Sequence, residues 1–428
     1  MRVIRGDTAA YPHLTDDFVK TFLAQERNKN YCYMLKERIR QLASGLLEEA
    51  TANRRHLHTN PELSYREYQT ALFIEEKLRA LDIPFERMAD TGIVALLQGG
   101  GGPSDKVVAL RADIDALPII ELNNVPYRSQ NEGVMHACGH DVHTSSLLGV
   151  AGILSQMKDE FSGTVKFIFQ PAEEVIPGGA SLMIKAGVLE NPRPHHILGQ
   201  HVMPELPVGK VGFRSGRYMA SNDEISITVK GKGGHGAMPH LGIDPVVIAC
   251  HMVIALQQIV SRRANPLLPS VLSFGKMHAN GASNVIPDEV KLEGTFRSLD
   301  ETWRSAAHDK IKKMAISIAE SMEGSCDIKI ERGYPVLINE DKLTAASKAY
   351  AVDYLGEAQV EDLDIWMAAE DFASYSQVAD ACFYRLGVRN ENRGIISGLH
   401  TATFDADEKA LETGAGLMSY LALKTLGN

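Results

Sequence analysis

Between residues 92 and 203, apolar segments of strand length alternate with segments that have helical spacing. "KVVALRA" (106–112) is an almost continuous apolar run, which is typical of a central strand buried on both faces of a sheet. "GTVKFIFQ" and "HHILGQHV" are further strands, and the connecting segments "TSSLLGVAGILSQM" and "GGASLMIKAGVL" have apolar residues at helical intervals. This alternation predicts an α/β fold in which helices cover both faces of the sheet.

The pattern changes near Arg217. From "NDEISITVKGKG" to "SCDIKIERG" the predicted order is strand, helix (244–262), strand ("SVLSFGKMHA", 270–279), strand ("DEVKLEGTFRSL"), helix (301–320), strand, which is the ferredoxin-like βαββαβ order. The α/β pattern resumes after about Gly333. The sequence therefore predicts a discontinuous mixed α/β domain, formed by residues 1–217 and 333–428, with a smaller α+β domain (218–332) inserted in it. Residues 1–50 are predicted to form a helical N-terminal extension of the larger domain.

Charge and composition exclude several classes of partner. The chain has 44 basic and 54 acidic residues, a net charge of −10, which argues against binding to nucleic acid or to an anionic membrane. Its five cysteines contain no CxxC pair and predict no disulfide framework. The apolar run of 16 residues from Pro245 is too short for a membrane span and predicts a buried helix. The first residues lack the pattern of a secretion signal, so we expect a cytoplasmic protein.

A dense group of metal-binding residue types occurs in "HACGHDVH", which begins at His136. Other acids and histidines follow the predicted strands, and in an open α/β sheet functional groups collect at the carboxyl ends of the strands. Thiolate, imidazole and carboxylate together suit zinc, manganese, cobalt or nickel. The candidates exceed one tetrahedral site, so two metal ions that share a bridging ligand are the more economical interpretation. The candidate residues are Asp113, Asp115, Cys138, His140, Glu173, Glu174, His201 and His400.

Several of these residues also have simpler interpretations. Taken alone, His201 or His400 would be a boundary histidine, and adjacent glutamates are usually a solvated pair. Asp115 is also suited to cap a helix over "DALPII". "GKGGHG" matches the dinucleotide-binding pattern GxGxxG, but Pro239 precedes the next helix and no acidic residue occurs between Asp244 and Asp288, so nucleotide binding is not favoured.

Nine segments, in order, resemble the aminoacylase/carboxypeptidase family of dinuclear metallopeptidases. They cover roughly residues 54–415, and the subgroup they resemble most is that of the N-acyl-amino-acid (hippurate-type) amidohydrolases. Except for "HACGHDVH", no single segment is specific, but their combination in this order is. The segments are "RRHLHTNPEL", "RADIDALP", "HACGHDVHTSSLLG", "QPAEE", "GQHVMPELPVG", "GGHGAMPH", "NVIP", "AEDFASY" and "GLHTATF".

The resemblance implies a role for each matching residue. Cys138 matches the bridging ligand of two divalent metal ions, and the other ligands are His140, Glu174, His201 and His400. Glu173 matches the catalytic base. Asp113 and Asp115 occupy the place of a His-x-Asp pair in other branches of the family; with aspartate at 113, the two are expected to surround and orient the ligands rather than to bind metal. The inserted domain corresponds to a lid through which the chain would form a homodimer. In it, His235 matches a histidine that stabilises the oxyanion in a neighbouring active site, and Asn284 and Arg297 match residues that hold the substrate carboxylate. Without the resemblance, His235 would be a loop histidine and Arg297 a surface cation.

The predicted function is metal-dependent hydrolysis of an amide bond in a small N-acyl amino acid with a free carboxylate. N-acetyl, benzoyl, aminobenzoyl-glutamate, indoleacetyl and peptide-like substrates all fit these motifs. One alternative is an amide hydrolase that uses Cys138 as its nucleophile. The other is a non-catalytic protein that binds a metal or ligand on the same fold.

Overall fold

The computed structural model describes residues 33–427. The larger of its sheets has eight strands: β1 (Phe85–Met88), β2 (Gly92–Gln98), β3 (Val107–Asp113), β4 (Thr164–Gln170), β5 (His196–Pro207), β6 (Val211–Phe213), β15 (Val360–Asp362) and β16 (Asp380–Arg389). Their order across the sheet is β1-β2-β4-β3-β5-β16-β6-β15. The central strands β4, β3, β5 and β16 are parallel, whereas β2 and β6 pair antiparallel with their inner neighbours. The predicted α/β fold class is confirmed.

Helices cover both faces of this sheet. They are α1 (33–45), α2 (Leu47–Thr59), α3 (Tyr68–Ala80), α4 (His140–Gln156), α5 (Gly179–Lys185), α8 (Asp341–Leu355), α9 (Ala373–Ser376) and α10 (Ala410–Leu426). All seven residues of β3 are buried, and they alternate between two cores: Val108 and Leu110 pack with α4 and α10, whereas Ala109 faces the core beneath α5 and α9. Of the predicted N-terminal extension, residues 1–32 lie outside the described residues.

A second sheet contains four antiparallel strands in the order β10-β12-β8-β13. Its strands are β8 (Ser221–Lys230), β10 (Ser270–Ala279), β12 (Glu289–Ser298) and β13 (Ser325–Arg332), and its helices are α6 (Pro245–Gln258) and α7 (Glu301–Ser321). The elements follow the predicted βαββαβ order, and β10 has the predicted bounds. A short ribbon of β9 (Gly234–His235) and β11 (Val285–Ile286) belongs to this part of the chain, and β7 (Gly216–Met219) pairs with β14 (Leu337–Asn339). The domain limits at 217/218 and 332/333 stay a prediction.

Helix α6 is not the fully buried helix that its composition predicts. Ile248, Met252 and Leu256 are buried against the four-stranded sheet, but Val247 and Ile254 on the opposite side are 44% and 73% exposed. By length and composition, residues 245–263 are the one helical segment in the described part of the chain that could cross a membrane. A third of the residues in its most apolar 18-residue stretch are buried in the fold. Within residues 33–427 the helix packs against one layer, so the apolar residues on its other side are not covered by this part of the chain.

Candidate metal centre

The five predicted metal ligands converge at the carboxyl edge of the large sheet. The Cys138 Sγ atom lies 3.4 Å from His201 Nε2 and 3.3 Å from His400 Nε2. Glu174 Oε1 lies 3.4 Å from His400 Nε2 and 3.9 Å from His140 Nε2. Cys138 belongs to two groups whose ligand atoms lie within 4.8 Å of one another, one with His140 and His201 and one with Glu174 and His400. A thiolate shared by two groups is the arrangement expected of a bridging ligand.

Local backbone geometry brings these side chains together. Cys138 precedes α4, and His140 is the first residue of that helix. Gly139 between them has φ 84°, a left-handed conformation that glycine adopts at little cost. His201 lies within β5, and Glu174 follows β4. His400 lies in a loop far along the chain from Cys138. A backbone hydrogen bond holds this loop in place, because the N–H of His400 donates to the carbonyl of Ala137 at 2.8 Å.

The hydrogen bonds of two histidines fix which ring nitrogen is free. His201 Nδ1 must donate to the Val202 carbonyl at 2.7 Å, and His140 Nδ1 donates to Asp115 at 3.2 Å. In the neutral form of each ring, Nε2 therefore carries the lone pair and faces the cluster. His140 Nε2 and Glu174 Oε1 are buried and have no hydrogen-bond partner among the described residues. Unpaired buried acceptors are costly unless something binds them, and a thiolate, imidazoles and a carboxylate fit a divalent metal ion.

Carboxylates around the cluster give it a negative electrostatic potential. Burial opposes a positive charge on His140, but the nearby Asp113 and Asp115 carboxylates outweigh it and raise the pKa of His140 to about 10. Asp115 also accepts hydrogen bonds from the Ser64 hydroxyl and the Glu174 backbone, at 2.6 and 3.0 Å. It therefore orients two predicted ligands at once. The alternative role of Asp115 as a helix cap is wrong, because residues 114–120 form no helix.

Asp113 and His143 support the cluster from behind. Asp113 accepts a 2.5 Å hydrogen bond from His143 Nδ1 and a 2.6 Å hydrogen bond from Arg111. His143 Nε2 in turn accepts the N–H of Val202 at 2.8 Å. Since both ring nitrogens of His143 are occupied, it positions the strand next to His201 and has no lone pair left for a metal ion.

Glu173 lies beside the ligands without belonging to either group around Cys138. Its carboxylate shares a cluster with His140 and Glu174 in which the ligand atoms lie within 4.8 Å of one another. Burial, followed by repulsion from Glu370 and Glu174, raises the pKa of Glu173 well above its usual range. Tyr334 fixes the backbone here, because its hydroxyl donates to the Glu173 carbonyl at 2.5 Å.

A cavity of about 480 Å³ opens above the cluster. Glu173 lines it together with the candidate ligands Cys138, Glu174, His201 and His400, and Arg297 of β12 also reaches it. His235 and Asn284 do not line this cavity. They are exposed on the β9–β11 ribbon, where the N–H of Gly236 donates to the Asn284 carbonyl at 2.8 Å.

Part of the cavity wall could not be predicted from the sequence. Glu370 and Arg385 line it, and Asp371 beside Glu370 accepts hydrogen bonds from Arg111 and Gln170 at 2.7 and 2.9 Å. "AEDFASY" contains the two acids, and it contributed to the resemblance without suggesting a role for either. Arg385 lies inside an apolar strand, where one basic residue among hydrophobic ones is the only signal.

Comparison with known proteins defines the class that this site belongs to. The chain is a member of the peptidase family M20/M25/M40, whose model matches residues 109–424. An N-acyl-L-amino acid amidohydrolase of Geobacillus stearothermophilus is 43% identical over 310 residues, which cover 72% of this chain and 83% of that protein. An N-acetylcysteine deacetylase of Bacillus subtilis is 39% identical over 380 residues, 87% of this chain and 96% of the relative.

The fold is shared as well. The crystal structure of the Bacillus subtilis YXEP protein, described as a dinuclear metal-binding peptidase, has a TM-score of 0.77 and 34% sequence identity, and the match covers 90% of this chain and 99% of the other. This chain is therefore a hydrolase of amide bonds with a site for two divalent metal ions. A nucleophilic cysteine and a non-catalytic binding role are not favoured.

Proposed function

We propose that this chain hydrolyses N-acyl amino acids that carry a free α-carboxylate, with Glu173 as the general base. The observation that carries the proposal is the placement of Glu173. Its carboxylate lies among the candidate ligands, and it lines the same cavity of about 480 Å³. A pure binding site has no need of a buried carboxylate next to a complete ligand set.

The proposed roles follow from the contacts. Cys138, His140, Glu174, His201 and His400 would hold two metal ions, for which zinc, manganese, cobalt and nickel are candidates. Bound metal ions supply the Lewis acidity that activates water near neutral pH and polarises a carbonyl. Glu173 would accept a proton from the attacking water and deliver it to the leaving nitrogen. Arg297 in the cavity wall would bind the α-carboxylate through its planar fork of N–H groups.

Metal loading and one substitution test these roles. Glu173→Gln should lower kcat by at least about a hundredfold, because proton transfer contributes on the order of 10²–10⁴ to the rate, while metal content stays at two ions per chain. Elemental analysis and hydrolysis of N-acetyl and N-benzoyl amino acids, before and after chelation, measure both. Activity that survives chelation, or full activity in Glu173→Gln, would refute the assignments.

We further propose a homodimer formed through the four-stranded sheet and its helices. Two features support it: α6 exposes Val247 and Ile254, and β10 is an edge strand that exposes Val271 and Met277. His235, which lies outside the cavity of its own chain, would complete the cavity of the neighbouring subunit by stabilising the oxyanion. A cytoplasmic location is proposed as well.

Mixed dimers test this arrangement. Glu173→Gln and His235→Ala homodimers should both be nearly inactive. A mixed dimer contains one Glu173→Gln subunit and one His235→Ala subunit. One of its two sites combines an intact Glu173 with the partner subunit's His235, so the activity of the mixed dimer should approach that of one wild-type site. Sedimentation of the wild type as an active monomer, or the absence of rescue in mixed dimers of verified composition, would contradict the proposal.

A further inference from the structure

Four arginine side chains are fully buried among the described residues, and one of them differs from the rest. Arg54, Arg111 and Arg304 make ion pairs of 2.7, 2.6 and 2.6 Å with buried aspartates. Arg385 is equally buried, but no carboxylate oxygen among the described residues lies within the 4.0 Å of an ion pair. Burial of an unpaired charge is strongly unfavourable, so an unpaired arginine in a well-packed sheet calls for an anion from elsewhere.

The contacts of Arg385 hold its guanidinium and leave one edge unused. Nε donates to the Tyr218 hydroxyl at 2.7 Å and Nη2 contacts Met219 Sδ at 2.9 Å, whereas Nη1 is buried without any hydrogen-bond partner. The Trp366 and Phe383 rings lie 4.7 and 5.2 Å from the guanidinium carbon. Aromatic faces stabilise a cation and fix its plane, but they do not satisfy its N–H groups.

Arg385 lies next to the metal centre. It belongs to β16, where its register partner on β5 is His201, a candidate ligand. It lines the same cavity as Arg297, and so do its neighbours Met219 and Trp366. The cavity therefore has two guanidinium groups, from two different sheets. Glu173, Glu174 and Glu370 in the same wall repel carboxylates. A substrate with two carboxylates therefore needs a guanidinium group for each of them.

We propose that Arg385 is a specificity residue that binds a second carboxylate of the substrate. The preferred substrates are then N-acyl amino acids with an additional acidic group, either in the amino-acid side chain or in the acyl group. This inference rests on the proposed function, in which Arg297 takes the α-carboxylate. A guanidinium whose plane is fixed by aromatic rings and whose Nη1 has no hydrogen-bond partner can donate to a carboxylate oxygen.

Two matched pairs of substrates test the inference on the full-length, metal-loaded protein. N-acetyl-L-glutamate and N-acetyl-L-glutamine differ only in the side-chain charge, and N-succinyl-L-alanine and its succinamide analogue differ only in the acyl charge. In at least one pair, kcat/KM of the wild type should be about ten- to a hundredfold higher for the acid, mainly through KM. The pair that shows the preference identifies which end of the substrate faces Arg385.

Substitutions then assign the preference to this residue. Arg385→Met should bring the acid-to-amide ratio close to one, and Arg385→Lys, which keeps the charge but loses the fork, should lower the ratio severalfold. Arg297→Met is the control: it should lower kcat/KM for both members of a pair and leave their ratio unchanged. A structural role alone would reduce kcat for all substrates equally, with a lowered unfolding temperature and an unchanged ratio.

Three outcomes would overturn the inference. The first is a wild type without preference for the acid in either pair, a result that requires no variant to fold. The second is a preference that persists in Arg385→Met or, where that variant unfolds, is unchanged in Arg385→Lys. The third concerns substrates whose α-carboxylate is replaced by an amide. If Arg385→Met, but not Arg297→Met, no longer prefers the α-carboxylate over this amide, Arg385 binds the α-carboxylate and not a second one. If none of the four substrates is hydrolysed although N-benzoyl amino acids are, the inference alone is refuted; if the N-benzoyl amino acids are not hydrolysed either, the proposed function is refuted, and the inference with it.

Discussion

The adjacent residues Arg54 and Arg55 on α2 allow the energy of a buried ion pair to be compared with that of an exposed one. Arg54 has no exposed side-chain area and donates to Asp141 at 2.7 Å and to Asp405 at 2.6 Å. Arg55 pairs with Glu408 at 2.7 Å, but 45% of its side chain is exposed. Arg54→Met removes the cation and leaves two carboxylates at a buried site, whereas Arg55→Met removes a solvent-screened contact.

The expected magnitudes differ several-fold. Breaking a buried ion pair from one side costs about 3–5 kcal/mol, and we expect the lower end because His58 still pairs with Asp141 at 2.8 Å. The exposed pair contributes about 0–1 kcal/mol. Because Asp141 follows the candidate ligand His140, Arg54→Met should also weaken metal binding.

Urea unfolding followed by tryptophan fluorescence measures both variants. Of the two tryptophans in the sequence, Trp366 lies in the cavity wall and Trp303 on α7, so they report on different sheets. If the free energies of unfolding of Arg54→Met and Arg55→Met agree within about 1 kcal/mol, the contrast between buried and exposed pairs is wrong for this protein.

Two further predictions concern other carboxylates. Asp115→Asn should lower metal affinity about 10–100-fold, measured by competition with a chelator, because Asp115 orients His140 and Glu174; Ser64→Ala, which removes one bond to Asp115, should have a much smaller effect. Asp223 is buried, which alone would raise its pKa, but its hydrogen bonds with His308 and Arg304 lower the pKa below its ordinary value. Its stabilising contribution is thus present above the unfolded-state pKa of about 3.9 and is lost as the pH falls through the lower folded-state value. The urea midpoint should therefore fall less between pH 7 and pH 3 in Asp223→Asn than in the wild type, and an equal fall would contradict this.

Features that lie close together in the sequence were the ones that could be predicted from it. The strand β10, the βαββαβ order and the grouping of Cys138 with His140 all depend on periodicity or short spacing. Contacts across long separations were predicted only where the family resemblance aligned the segments, as for Cys138 and His400. The contact of Arg111 with Asp371, 260 residues apart, and that of Arg385 with Tyr218, 167 residues apart, could not be predicted. His143 could not be separated from the candidate ligands by sequence. Only the hydrogen bond from the N–H of Val202 shows that the second ring nitrogen of His143 is occupied.

Surface and core were harder to distinguish than strand and helix. The composition of α6 is apolar on all sides, which in a monomeric fold predicts burial, yet Ile254 is exposed because only one layer packs against the helix. The apolar residues of a helix indicate how much of its surface is buried in the functional protein. They do not indicate whether that surface is buried by the same chain or by a second molecule. The same ambiguity affects His235, whose exposed position has a function only if another subunit supplies the cavity.

Gly139 gives a prediction that connects backbone conformation to metal binding. At its φ of 84° an added Cβ would lie 2.5 Å from Val202 Cγ2, so Gly139→Ala combines backbone strain with a clash next to His201. Gly187 is a matched control, because its φ is 93° but a Cβ there would have no atom within 4 Å. Gly187→Ala should therefore cost only about 1–2 kcal/mol of backbone strain.

The clash at Gly139 should add to this cost, because Val202 must move. Its N–H bonds to His143 and its carbonyl to His201, so the movement is transmitted to the ligand cluster. We expect Gly139→Ala to be less stable than Gly187→Ala and, unlike it, to bind metal ions more weakly. Thermal unfolding with and without metal separates the two effects: the stabilisation by added metal should shrink in Gly139→Ala and stay unchanged in Gly187→Ala. Equal stabilisation in both variants would mean that the left-handed turn serves the backbone alone.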